Sequence, residues 1–499
     1  MIRRPPRSTL FPYTTLFRSA GHRDLRAGEY ETESPTASLL AHNLLCFCAA
    51  QWNWKVFFSD ISAAFLQGDY LPAERRVFVQ TPKNYPLFVR QFLQTKIPAG
   101  ARTDLFRMKK AGFGLAESPR LWYHRFKRGA ESIGGREMKL CPGVFSFFGP
   151  DSQLRALLAV HVDDVRLIAH PDQQQAMHEK LNALFSFGEW KHPDDWTKFC
   201  GRYEKQLENG TVLMQMDSYA ERLLDPPLRS STQQRYPLQP NEKKWIGTIT
   251  GQLNWMARQC RADLSFGVSR IQQLAGVNDP SALTELKILV DRARQPVTIK
   301  FEHLGCDMSE MIVVAVSDAS FAGMPRGRSQ GGLAVAFANP KILEGQSKLC
   351  IVTHHSGLLK RVVRSSLAAE ISQAANALEE ADFTRALLAE VLKPDFSLAN
   401  WLAVAAMWKL VLVLDSRTGY DLLNGTALGE DKRLAIDIAA LKQSLSEDAG
   451  GRLIRWVPGE ELIANDLTKL CGNQKLMNAL MTATWALRDT EVARKLRAD

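Results

Sequence analysis

The stretch AVHVDDVRLIAH, Ala159 to His170, sets two adjacent aspartates, Asp163 and Asp164, among valines, leucine and isoleucine. Val160, Val162, Val165, Leu167 and Ile168 are strand-forming or buried residue types, so the segment predicts a β-hairpin with carboxylates at its tip. Neighbouring carboxylates resist joint ionisation when desolvated. The arrangement therefore asks for a cation, for hydrogen-bond donors, or for full exposure at a solvated turn. The chain supplies its own comparison in HPDDW, where Asp194 and Asp195 follow a proline without flanking apolar strands and read as an ordinary loop.

Around this hairpin, 499 residues with 45% apolar content leave room for more than one core. The formal net charge is +10, but Arg3, Arg4, Arg7 and Arg18 lie in an acid-free leader, so the rest of the chain carries +6. That mild basicity suits a polyanionic partner without requiring one. The leader, residues 1–19 (MIRRPPRSTLFPYTTLFRS), lacks the long apolar core and small-residue cleavage pattern of a signal peptide. It resembles translated sequencing-adapter sequence and is set aside as non-native. A mitochondrial targeting peptide is the alternative, weakened by Pro5 and Pro6. Eight cysteines are scattered, only Cys46 and Cys48 are near neighbours, and no zinc-type spacing occurs. This fits a reducing compartment with most thiols acting as small buried hydrophobes. No apolar run reaches the roughly 20 residues that span a bilayer.

A metal at the hairpin needs a further carboxylate from a neighbouring strand. WKVFFSDISAAFLQGDYL offers Asp60, which ends the apolar run Val56–Phe58, although a helix N-cap would explain an aspartate there equally well. Asp60 with the following AAFLQG, then GFGLAESPRLWY (Gly112–Tyr123), then HVDD (His161–Asp164), resemble the ordered motifs of the reverse transcriptase of copia-type LTR retrotransposons. ETESPT (Glu31–Thr36) upstream and KFCGRYEKQLENGTVLMQMDSYAERLL downstream extend the resemblance over nearly everything after residue 20.

The resemblance implies an α+β polymerase of fingers, palm and thumb, with partial fingers and palm at residues 20–205 and thumb or connection at 206–307. It implies that Asp60 and Asp163 bind two Mg²⁺, or Mn²⁺ in their place, with Asp164 beside them. Strand alternation lets only one of the adjacent pair face Asp60 squarely, and Asp163 is the choice for direct ligation. Phe65 stands where the family crowds the sugar 2′ position, though a core phenylalanine is the plain alternative, and Val162 lies in the nucleotide-binding motif. Three features depart from the family. His161 replaces a tyrosine and is expected on the face of Asp163; Glu117 replaces a neutral glutamine, adding negative charge near the triphosphate; and the chain is expected to begin inside the fingers.

Downstream, EMIVVAVSDASFAG, GGLAVAFAN and KLCIVTHH predict three strands, and the segment SSLAAEISQAANALEEADFTRALLAEVL predicts a long helix. The strand KLVLVLDS, the helix DKRLAIDIAALKQSL, the strand RLIRWVP and a short helix at IANDLTKL complete a βββαβαβα order. Asp318, Glu370, Asp415 and Asp466 come one each from the first strand, the first helix, the fourth strand's end and the last helix. The series resembles the α/β ribonuclease H domain of the same elements, with a mixed sheet at residues 308–475 and a tail at 476–499. The resemblance implies that these four carboxylates hold two Mg²⁺. The helical stretch between the two regions, with Arg258, Arg261 and Arg270, reads either as a grip on duplex backbone or as a packed linker.

Together these readings predict an RNA-directed DNA polymerase with ribonuclease H activity. Its implied partners are an RNA template, a DNA primer, RNA/DNA hybrid, deoxynucleoside triphosphates and other polyprotein products. The implied places of action are a cytoplasmic virus-like particle and the nucleus. A nuclease with an inactive polymerase, and a non-catalytic nucleic-acid-binding relic, are the alternatives.

Overall fold

The computed structural model describes residues 27–80 and 105–487, apart from 228, 231, 430, 447–450, 471 and 473. The leader 1–19, Cys471 and the last part of the expected tail lie outside the described residues. Two compact units form, one holding Phe57–Lys191 with the described residues before Ser38, the other Ser38–Val56 with His192 onward.

The first unit contains β1 (Lys55–Asp60), β2 (Val77–Gln80), β3 (Leu105–Met108), β4 (Gly135–Glu137), β5 (Val144–Phe148), β6 (Leu154–His161) and β7 (Asp164–Ala169). Five of them make a sheet in the order β1-β7-β6-β5-β4, while β2 and β3 pair antiparallel by themselves. Because side chains alternate along a strand, Ala156, Leu158 and Val160 of β6 share one face with Val165, Leu167 and Ala169 of β7. That face packs on Trp122, Phe126 and Ala130, spaced by four along the helix Ser118–Ser132, and on Met177 and Leu181 of the helix Gln174–Leu184. Burying each such leucine contributes roughly 1.5–3 kcal/mol, so this layer fixes the hairpin register. The HPDDW segment is a loop, as its composition predicts, with Asp194 Oδ1 accepting the amide of Asp195.

The second unit has an antiparallel sheet of β8 (Thr197–Phe199), β9 (Arg202–Gln206), β10 (Val212–Gln215) and β11 (Thr298–Phe301). Its larger sheet comprises β12 (Ile312–Met324), β13 (Arg328–Ala338), β14 (Gln346–Leu358), β15 (Leu410–Leu414), β16 (Arg452–Trp456) and β17 (Thr484–Ala486), in the order β16-β15-β12-β13-β14-β17. The pairs β12–β15 and β15–β16 are parallel and the others antiparallel, which is the mixed sheet expected from the βββαβαβα order. The long helix Ser366–Leu392 crosses β12 and β13. Residues 475–487, largely assigned to a tail by sequence, instead supply the helix Lys475–Thr482 and the edge strand β17.

Sequence reading also missed the helix Leu39–Trp52, which is apolar around its circumference and buried along nearly its whole length in the second unit. Phe47 stacks on Phe337 with ring centroids 4.6 Å apart, and the Asn43 side-chain amide donates to the Val352 carbonyl at 2.9 Å. Its Cys46 and Cys48, like Cys141, Cys260 and Cys350, are buried thiols outside any disulfide, and burial pushes the Cys48 thiol far above its ordinary range.

Of the three arginines expected to grip a duplex, Arg261 is buried. Its guanidinium donates to the carbonyls of Ala293, Gln295 and Arg292 at 2.7–2.9 Å, closing the end of the helix Ser281–Ala293, and pairs with Asp263. Arg270 is held by Glu285 at 2.9 Å, and Arg258 is exposed. Among the described residues no helix is long and apolar enough to cross a membrane.

Candidate active sites

β6 and β7 join through a two-residue loop, Val162–Asp163, with His161 registered opposite Asp164. Of the two loop residues only Val162 has positive φ, +63°. The first position of such a turn favours glycine, and a β-branched residue there is a strained outlier. The strain is held from two sides. The Trp122 indole N–H donates to the Val162 carbonyl at 2.6 Å, and the Asp163 carbonyl accepts the Ile61 amide at 2.8 Å. The second bond sets Asp163 beside Asp60, the last residue of β1. Burial, reinforced by the Asp60 charge, raises the Asp163 carboxyl above its ordinary range, while His161 acts in the opposite direction. Asp60 is exposed, its carbonyl accepts the Gly188 amide at 2.7 Å, and a Cβ on Gly188 would lie 2.7 Å from its Oδ1. Gly188 is therefore required for the chain to pass so close to the carboxylate.

In the second unit, carboxylate oxygens of Asp318, Glu370 and Asp415 lie within 4.8 Å of one another. Asp318 sits within β12 and is 1% exposed, Glu370 is in the first turns of the long helix, and Asp415 follows β15. Mid-strand β12, the first turns of the long helix and the end of β15 thus bring three acids together. Glu370 Oε2 is buried without a hydrogen-bond partner. Burial, then the Asp318 and Asp415 charges, push the Glu370 carboxyl up to about 9, against a bond from the Ala319 backbone and the charge of Lys469. Clustered oxygens with one buried and unsatisfied suit a hard divalent cation, which would restore ionisation of all three.

Residues 13–231 match the family described as Reverse transcriptase (RNA-dependent DNA polymerase). The retrovirus-related Pol polyprotein from transposon RE1 of Arabidopsis thaliana is 25% identical over 72% of the chain. Over these residues the chain is similar to reverse transcriptases and to retrotransposon Pol polyproteins. The chain spans only 23% of that relative's length. Among solved structures, a foamy viral protease-reverse transcriptase in complex with RNA/DNA hybrid is 10% identical, with a TM-score of 0.42 over 85% of the chain and 46% of its own. LC11-RNase H1, isolated from compost, is 15% identical, with a TM-score of 0.23 over 34% of the chain and 99% of its own.

Asp466 does not join the other three acids of the second unit. Its carboxylate accepts the backbone amides of Gln474 at 2.8 Å and Leu476 at 3.0 Å, capping the helix Lys475–Thr482. Burial raises its carboxyl despite these two bonds. Asp466→Ala should accordingly lower stability by about 1 kcal/mol, read as a lower melting midpoint, and leave RNA cleavage within about tenfold. Loss of cleavage as complete as for Asp318→Asn would contradict this placement.

Phe65 lies on the short helix Ala64–Gln67, 9% exposed and edge-on to Phe113 with centroids 4.8 Å apart. Glu117 carries a charge that the sequence left unbalanced, and the fold balances it. Arg75 Nε meets Glu117 Oε1 at 2.7 Å with both side chains about 95% buried, and the guanidinium lies over the Tyr30 ring at 4.6 Å. The pair was not legible because Arg75 is 42 residues away in sequence. Arg75→Met should destabilise the first unit by roughly 3–5 kcal/mol, since it strands a buried carboxylate. Adding Glu117→Gln should recover most of that loss in urea unfolding.

Proposed function

We propose that this chain is a retrotransposon Pol fragment: an RNA-directed DNA polymerase joined to a ribonuclease H, copying RNA into DNA and cutting the RNA of RNA/DNA hybrids. The observation that carries the reading is that carboxylates meet within both ordered motifs: Asp318, Glu370 and Asp415 in the second unit, and Asp60 close enough to Asp163 to act on its charge in the first. Asp60 and Asp163, with Asp164 adjoining, would hold divalent ions in the first unit; Asp318, Glu370 and Asp415 would do so in the second. Bound Mg²⁺, two per site, would supply Lewis acidity toward the attacking oxygen and charge neutralisation at the departing one. The protein's own part is positional. The strained Val162–Asp163 loop, pinned by Trp122, aims Asp163 at Asp60 before any ligand arrives. Phe65, five residues beyond Asp60, is assigned to sugar discrimination. Glu117, neutralised by Arg75, is assigned to shaping the nucleotide pocket rather than repelling phosphate.

We assign residues 20–205 to fingers and palm, 206–307 to thumb and connection, and 308–475 to the nuclease. Its substrates on this reading are an RNA template, a DNA primer and deoxynucleoside triphosphates, handled in a cytoplasmic particle or the nucleus. The test is one tube holding the full chain, Mg²⁺, and a labelled RNA template annealed to a labelled DNA primer. Extension together with RNA cleavage is the expected result. Cleavage alone would leave the nuclease reading only, and neither activity in a folded sample would overturn both.

A further inference from the structure

Three acids converge in the second unit and Asp466 turns away from them; its neighbour in the short 3₁₀ segment Ile463–Leu467, Asn465, is tied through Gly459 and Thr468 to the surroundings of Asp415 and Asp318. Two links place it there. Its side-chain Nδ2 donates to the Gly459 carbonyl at 3.0 Å, and a Cβ on Gly459 would lie 2.9 Å from Asp415 Oδ2. On the other side, the Thr468 hydroxyl donates to Asp318 Oδ2 and lies 3.3 Å from the Asn465 carbonyl oxygen. Asn465 is thereby bracketed between Asp415 and Asp318. It is 9% exposed, and its Oδ1 is buried without a hydrogen-bond partner. With Nδ2 engaged, that oxygen is the part of the side chain left to meet a cation.

We propose that Asn465 is the fourth ligand position of this cluster, and that its neutral amide leaves the second of two divalent ions weakly held. The inference rests on the nuclease reading. Three carboxylates carry enough charge for one ion of charge two, whereas an amide oxygen contributes a dipole only, and affinity at oxygen sites follows ligand charge. The neighbouring position 466 cannot compensate, because its carboxylate is committed to the helix amides.

The test counts Mn²⁺ by electron paramagnetic resonance on the full chain carrying Asp60→Asn, Asp163→Asn and Asp164→Asn, which silence the other carboxylates. One tight ion and a second at least about tenfold weaker are expected. Adding Asn465→Asp should tighten the second ion by roughly 10–100-fold, with the folded state checked by circular dichroism. Two ions of equal affinity before that substitution, or no change after it in a folded protein, would overturn the proposal. If Asn465→Asp does not fold, the stoichiometry of the parent protein decides by itself. Glu370→Gln in the same background separates the two levels. If it leaves Mn²⁺ binding unaltered, the nuclease metal site itself fails; if it abolishes binding while Asn465→Asp changes nothing, only the role of Asn465 fails.

Discussion

Asp163→Asn should lower primer extension by at least about 10³-fold and leave RNA cleavage within about twofold. The substitution is nearly isosteric, so the two-residue loop, its Trp122 bond and the Ile61 amide contact to the Asp163 carbonyl all remain available. What disappears is one negative charge beside Asp60, at a position where burial already makes that charge costly to hold. An amide there cannot neutralise a divalent ion. Asp194→Asn in the exposed loop is the matched control and should change neither activity. Extension that survives in Asp163→Asn would remove this hairpin from the polymerase site.

Glu370→Gln has the opposite profile, with cleavage reduced by at least about 10³-fold and extension retained. It also carries a signature that does not depend on turnover. Without divalent metal, the folded Glu370 carboxyl titrates at about 9 against an ordinary value of 4.5, so the folded state holds a proton that the unfolded chain has released. Stability from this group is therefore fully present below about pH 4.5 and is lost as pH rises toward 9. In the metal-free parent the melting midpoint should fall across that window, by about 2–4 °C for each kcal/mol lost. Mg²⁺ should flatten the fall, and Glu370→Gln should flatten it without metal. Unaltered pH dependence in the variant would mean that Glu370 is not the group responsible.

Much of this was legible because it is local. The alternation in AVHVDDVRLIAH produced the hairpin, and the apolar runs before Asp318 and Asp415 gave two strands, β12 continuing past Asp318 and β15 stopping just before Asp415. The face assigned to His161 was not legible in the same way. Alternation would set His161 and Asp163 together, but the chain turns at Val162–Asp163, so His161 is registered opposite Asp164 while still acting on the Asp163 charge. A turn residue obeys no period of two.

The sequence by itself determined the hairpin with its carboxylate tip and the βββαβαβα run that carries Asp318, Glu370 and Asp415, because apolar periodicity is a property of neighbouring residues. Tertiary structure alone decided which charges meet. Arg75 finds Glu117 across 42 residues, Arg261 is spent on helix-end carbonyls, and the helix Leu39–Trp52 packs with the second unit. Asp466 and Asn465 differ by one position along a tight turn that sends their side chains to different partners, the helix amides for one and the Gly459 carbonyl for the other. Such outcomes depend on desolvation and on where distant chain segments come to lie, and neither is encoded in local spacing.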